Sequence, residues 1–307
     1  MHDRDCLHRF LFEHYPIRGH IVHLDASWRA LLEHREYPEA IRDTLGEAVA
    51  ASVLLAATLK FEGTLTLQLQ GQGPMHLLLA QCSSQLGVRA VARYREAADT
   101  RNVKQLSGDG NLTVTIENDD LSQRYQGIVP LDSEQLAGCL QGYFENSEQL
   151  PTRLWLSAGP NGVSGLLLQR LSNDSVAGRT SGSGEALKLD PADIDDAWNR
   201  VQLLAETLTA EELRGLTDQQ ILHRLFAEDD VRVFEQTPVF FRCRCSRERV
   251  EGMLRSLGAE EIKSILAERG SVEVRCDFCN RAYQLDAVDV EHLFAAAPTA
   301  ERSGAVH

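Results

Sequence analysis

Residues 241–283 read FRCRCSRERVEGMLRSLGAEEIKSILAERGSVEVRCDFCNRAY, and their four cysteines decide how the end of the chain folds. Cys243 and Cys245 stand one residue apart, and Cys276 and Cys279 form a C-x-x-C pair thirty residues later. Between the pairs, a helical stretch follows Ser246 and stops at Gly258, and EEIKSILAER forms a second that ends at Gly270. SVEVRC and RAYQLD flank the CDFCN turn as short strands. Two thiol pairs on separate turns supply four soft ligands at about 2.3 Å, the demand of tetrahedral zinc. A unit of roughly 60 residues buries too little surface to fold unaided, whereas structural zinc contributes apparent free energies of roughly 10–16 kcal/mol. On these residues alone three readings stay open: a purely structural zinc, a zinc that is also a redox switch, and a metal-free dithiol site. The switch reading rests on chemistry. Oxidation of the thiolates removes the ligands, and loss of the metal then means local unfolding.

Upstream, VRVFEQTPVFFRC carries a strand signal, so the C-terminal zinc-binding domain is expected over 232–294, followed by a disordered tail, 295–307. DPADIDDAWNRVQLLAETL opens with Asp190 as N-cap and Pro191 at the first helical position. Ile194, Trp198, Val201, Ala205 and Leu208 then fall on one stripe. Thr209 with Glu212 and Thr217 with Gln220 are capping boxes that start two further helices. Residues 172–186, SNDSVAGRTSGSGEA, have the composition of a flexible connection. Residues 176–231 are therefore read as a flexible connection and metastable helical linker. At rest its stripe is expected to pack on the first domain. Released by collapse of the zinc unit, the same five residues would be a contiguous apolar patch, which makes them the candidate client-binding residues.

Residues 1–175 read as an α+β domain with a mostly antiparallel sheet and helices. IRGHIVHL alternates, a central helix starts near Pro38 and stops by Gly63, and TLTLQLQG, MHLLLAQC and GVRAVARY form a meander. LTVTIEND and YQGIVPL continue it, a helix follows from Asp132, and TRLWLSAG and GVSGLLLQRL add two strands.

The 307 residues carry a formal net charge of -14, with a pI near 5.2. That is the wrong sign for holding nucleic acid or an anionic membrane by bulk electrostatics. A zinc ribbon binding nucleic acid or a polymerase is the alternative reading. Against it, residues 241–294 hold nine Lys and Arg but ten Asp and Glu, so no basic footprint exists there. Four thiolates close the coordination shell, which argues against a zinc hydrolase, and GQGP and SGDGN lack the residues of a phosphate cradle. The protein is expected not to be an enzyme. No apolar leader or membrane-length run is evident, so a cytoplasmic location is expected, where seven cysteines do not suggest a disulfide framework. Cys6, Cys82 and Cys139 lie outside the motif. None of the ten histidines has the spacing of a second metal site, and His20 and His23 would lie on opposite strand faces.

The C-terminal stretch, together with LFAEDDVRVFE, LGEAVAASVLLAATLKFEGTLTLQLQGQGP, YQGIVPL, YFENSEQLPT and GLLLQRL, closely resembles the thirty-three-kilodalton redox-regulated heat-shock chaperones, the 33 kDa chaperonin family. The resemblance covers nearly the whole chain. It implies an ATP-independent holdase, inactive when reduced, in which Cys243, Cys245, Cys276 and Cys279 ligate one zinc ion. On oxidation it implies two local disulfides, Cys243 with Cys245 and Cys276 with Cys279. It further implies an unfolding linker, unfolded proteins as partners, and an active form that is commonly a homodimer.

Overall fold

The structure is a computed structural model that describes residues 4–119, 124–172 and 190–295. The expectations for the tail beyond Ala295 and for nearly all of the 172–186 connection lie outside the described residues. The chain divides into two compact units, Met1–Arg242 and Cys243–His307.

The first unit runs β1 (Cys6–Phe12), β2 (Ile17–Leu24), α1 (Ala26–Leu32), α2 (Glu39–Thr58), β3 (Gly63–Gln70), β4 (Met75–Ser83), β5 (Gly87–Tyr94), α3 (Val103–Ser107), β6 (Asn111–Asn118) and β7 (Arg124–Val129). It continues with α4 (Leu136–Asn146), β8 (Thr152–Gly159), β9 (Gly162–Arg170), α5 (Pro191–Glu206), α6 (Ala210–Gly215), α7 (Asp218–Phe226), β10 (Val231–Val233), β11 (Thr237–Pro238) and β12 (Phe240–Phe241). The α+β class and the antiparallel pairing of the long strands match the sequence expectation. The strands make two six-stranded sheets rather than one, in the orders β10-β1-β2-β9-β8, with β11 also on β1, and β12-β5-β4-β3-β6-β7.

The sequence of α2 explains why there are two. It is apolar nearly all round and buried along most of its length, so one sheet could cover only half of it. It packs against strands of both sheets. Gly46 permits the close approach, since a Cβ there would meet Val163 at 2.5 Å and Ala158 at 2.7 Å.

The β1-β2-β9 sheet uses both its faces. Leu7, Val22, Leu24, Val163 and Leu167 point into the large core with α2, while Phe10, Phe12, Ile17, Ile21, Leu166 and Leu168 pack with α5 and α7 on the other side. Period-two alternation on a sheet buried on both faces puts apolar residues at both parities, which is why β1, CLHRFLF, carries little signal as sequence. The strand signal after residue 230 belongs to this unit as well. β10 and β11 pair with β1, and β12 pairs in parallel with β5, so these strands lie in the compact unit that runs to Arg242.

The second unit holds α8 (Arg247–Leu257), α9 (Ala259–Arg269), the hairpin of β13 (Val272–Arg275) and β14 (Ala282–Leu285), and α10 (Ala287–Ala295). Ser246 caps α8 by accepting from the Arg249 N–H, and Gly270 closes α9 at φ 74°, a left-handed value glycine adopts freely. The core is small: Val250, Leu254, Ile262, Val272, Leu285, Val290 and Leu293.

Candidate metal centre and the linker face

Cys243 and Cys245 lie on irregular chain just before Ser246, the cap of α8. Cys276 and Cys279 lie on the turn that joins β13 to β14. That turn is closed by its backbone, the Cys276 N–H donating to the Arg281 carbonyl at 3.0 Å and the Asn280 N–H to the Cys276 carbonyl at 2.9 Å. Asn280 takes φ 54°, a left-handed conformation that asparagine tolerates better than most residues. The turn thus carries both thiols of the C-x-x-C pair.

The four sulfur atoms lie within 4.8 Å of one another. Cys243 Sγ stands 3.6 Å from Cys276 Sγ, and Cys245 Sγ 3.4 Å from Cys279 Sγ. Four thiolates around a tetrahedral ion with bonds of about 2.3 Å would stand about 3.8 Å apart. The donor set and its spacing fit a closed four-sulfur site, and the cluster can hold a metal ion.

The thiols are not equivalent. Burial raises Cys243 and Cys279 above the ordinary thiol range. Burial also acts upward on Cys245, but hydrogen bonds from Tyr283 and the neighbouring thiols outweigh it and bring the group down to about 7. The Tyr283 hydroxyl donates to Cys245 Sγ at 3.1 Å and is itself raised by that bond. Tyr283 is absent from the sequence reading; its position four residues after Cys279, on the strand leaving the turn, is the signal that could have found it.

Ile194, Trp198, Val201, Ala205 and Leu208 are all buried, Leu208 being the most accessible at 8%. Trp198, Val201, Ala205 and Leu208 share a cluster with Phe10, Phe12, Ile21, Leu166 and Phe226. Arg200 forks onto the Asp229 carboxylate, and Arg170 pairs with Asp195 at 2.5 Å. The stripe is therefore covered in this state.

Cys6, Cys82 and Cys139 are buried. Burial pushes the Cys82 thiol up to about 12 and raises Cys139, which keeps both protonated and chemically quiet. In contrast to the sequence expectation for the histidines, Cys6, His8 and Asp218 bring ligand atoms within 4.8 Å of one another. Chain spacing cannot reveal a group assembled from a strand and a helix more than two hundred residues apart. His20 and His23 do face opposite sides of β2, as strand parity requires, and both are buried.

Among the described residues no helix is long and apolar enough to cross a membrane. A family model described as "Hsp33 protein" matches residues 5–286. The 33 kDa chaperonin of Methylobacillus flagellatus is 45% identical over 291 residues, covering 94% of this chain and 94% of its own length. That of Nitrosococcus oceani is 46% identical over 294 residues, covering 96% of each. The crystal structure of the 33 kDa chaperonin (heat shock protein 33 homolog) from Thermotoga maritima superimposes with a TM-score of 0.77 over 95% of this chain and 98% of that one, at 22% identity, a likeness of fold.

Proposed function

The chain belongs to the Hsp33 protein family, whose members are named chaperonins, and from that premise we propose that it is a redox-regulated, ATP-independent holdase. The observation that carries the reading is the convergence of Cys243, Cys245, Cys276 and Cys279 into one four-sulfur cluster. These four residues would hold one zinc ion, which when bound supplies folding free energy of about 10–16 kcal/mol and keeps its ligands as thiolates.

In this reading the cysteines are ligands when reduced and disulfide partners when oxidised, Cys243 with Cys245 and Cys276 with Cys279. Each disulfide forms from two thiolates with loss of two electrons, which hydrogen peroxide takes up together with two protons from solvent to give two molecules of water. Oxidation therefore ejects the zinc by removing its ligands, and the second unit loses the free energy that holds it folded.

In this reading residues 1–175 are the core domain, 176–231 the linker and 232–294 the switch domain, whose leading strands pair with β1 and β5 of the first unit. Ile194, Trp198, Val201, Ala205 and Leu208 are the apolar surface offered to unfolding clients once the linker opens. The active form is a homodimer, and the protein works in the cytoplasm without nucleic acid or membrane as partner. It is not an enzyme.

Light scattering from an aggregating client tests the reading. The reduced, zinc-loaded chain should leave aggregation unchanged, and the chain treated with peroxide at mildly elevated temperature should suppress it. Equal inactivity of both forms would reduce the cluster to a structural role; equal activity would remove the redox gate.

A further inference from the structure

Unlike donor groups converge at a second place, within the first unit. Cys6 pairs with His23 and His8 with Ile21 across β1 and β2, so Cys6, His8 and His23 share the sheet face that α5 and α7 cover. Asp218, the first residue of α7, comes down onto that face. Its Oδ1 lies 2.7 Å from His23 Nε2 and its Oδ2 contacts His8 Nδ1. Cys6 Sγ lies 3.9 Å from His8 Nδ1. Cys6, His23 and Asp218 are 4%, 3% and 8% exposed.

Two of these buried atoms have no hydrogen bond. His23 Nε2 and Asp218 Oδ1 face each other without a geometry that satisfies either. His23 Nδ1 is already engaged, 2.7 Å from Ser164 Oγ. With the Nδ1 hydrogen donated to that hydroxyl, Nε2 turns a lone pair toward the carboxylate. A lone pair and a carboxylate oxygen at such a separation repel unless a positive particle lies between them, and a buried carboxylate must be compensated.

We propose that Cys6, His8 and Asp218, whose ligand atoms lie within 4.8 Å of one another, form a second site for a zinc-type divalent transition-metal ion, with His23 against the other carboxylate oxygen, and that it ties the first turn of α7 to strands β1 and β2. Thiolate, imidazole and carboxylate are the donors that borderline-soft ions select. Ser164 Oγ, 2.7 Å from His23 Nδ1, fixes the orientation of that ring over the carboxylate. A cleft of about 280 Å³ lined by Arg4, His8, His23, Asp218, Gln219 and Gln236 is the way in. The cation at its mouth, Arg4, is engaged with Asp25 at 3.6 Å and the Gly215 carbonyl at 3.0 Å. The site lies wholly in the first unit and does not depend on what the four-cysteine cluster does. Its occupancy would set how firmly α7 is held on the sheet.

The test uses the full-length chain, reduced, with the four-cysteine cluster loaded with zinc and excess metal removed by gel filtration. Titration with Co²⁺ should load one further equivalent per chain, with the absorption of a thiolate-bound cobalt ion, while the bound zinc stays at one equivalent. Asp218→Asn and His8→Gln should each weaken cobalt binding roughly tenfold or more. Cys6→Ser should abolish the thiolate-to-cobalt band and leave the weaker ligand-field bands. Excess zinc should raise the melting temperature of the parent and not of Asp218→Asn, with the metal-free melt of each variant reporting that it folds. Absence of a second equivalent in the parent overturns the proposal outright, because a proton then fills the gap. A second equivalent that survives both Asp218→Asn and His8→Gln overturns it too, because the ion then binds elsewhere.

Discussion

The linker face and the second unit are both small assemblies, yet they are held by different means. Trp198, Val201, Ala205, Leu213, Ile221, Leu225 and Phe226 are buried against a preformed sheet whose other face carries the main core. The linker helices thus borrow rigidity from a scaffold and need only their apolar stripe. The second unit has no such support in its own core, where seven buried apolar side chains must order a two-helix excursion, a hairpin and a third helix. Burial of that extent is small for the chain it must order, and in the proposed reading an ion held by the cluster supplies the remaining stability. The contrast locates where chemistry can act: an oxidant has no purchase on an apolar stripe, but it can reach half-buried thiols.

Breaking the cluster should produce the largest effect. Chelation, or Cys276→Ser, should remove on the order of 10 kcal/mol from the second unit. At ambient temperature, amide exchange should lose protection across 247–295. Fluorescence of Trp28, Trp155 and Trp198, all in the first unit, should stay unchanged at that temperature, and only mild warming, which opens the linker, should shift that of Trp198. Simultaneous loss in both regions would show that the contrast is false. Next in size is the stripe itself. Trp198→Ala should destabilise the linker face by about 3–5 kcal/mol, measured by denaturant unfolding, and allow client binding without peroxide. A variant that remains inactive until oxidised would detach the stripe from the holdase activity.

Acid should erode the first unit by a route the second does not share. Burial above all, then Arg18 and Arg9, brings His20 down from 6.5 to about 3. The unfolded chain then takes up a proton that the folded chain refuses, so this contribution is present above pH 6.5 and is lost as pH falls toward 3. At pH 5 the loss is about 2 kcal/mol. Glu47 works in the opposite direction. Burial raises it to about 7 despite Arg101, so the folded state gains as pH falls from there toward 4.5. The difference between the parent and His20→Gln isolates the histidine, and the parent should lose the additional 2 kcal/mol between pH 7 and 5. Equal losses in the two chains would clear His20. The smallest change is at a cap. Thr217 accepts from the Gln220 N–H at 3.3 Å while Gln220 reaches back to the Thr217 N–H at 2.9 Å. Thr217→Ala should cost about 1 kcal/mol, visible as faster amide exchange confined to α7.

How much of this was legible as sequence depended on whether the signal was local. The capping boxes at Thr209 and Thr217, the Asp190 cap and the stops at Gly258 and Gly270 all appear where their residues promised. The four cysteines announced their own convergence, because two close pairs flanking a short excursion leave the chain few other ways to fold. What was missed depends on partners remote in the chain. β1 takes meaning from helices two hundred residues later, the second sheet follows from an all-round apolar α2, and the Cys6, His8, Asp218 group exists only once α7 has docked. Short α1 and α3 carry too few turns for periodicity to rise above noise, and α10 lies next to a tail whose composition masked it.

The strand residues between 231 and 241 cover the open margins of both sheets. Backbone bonds from Phe234 to Arg9, Val239 to Asp5, Phe240 to Leu86 and Arg242 to Val88 fill hydrogen-bonding valences that β1 and β5 would otherwise turn to water. Such a strip is held by a handful of bonds that can be undone one after another, like a zip, rather than all at once. Its far end is joined covalently to Cys243, so slack or tension arising beyond that residue arrives first at this strip. Peeled away, it would leave two bare margins that recognise polypeptide main chain, the one feature common to every unfolded protein whatever its side chains.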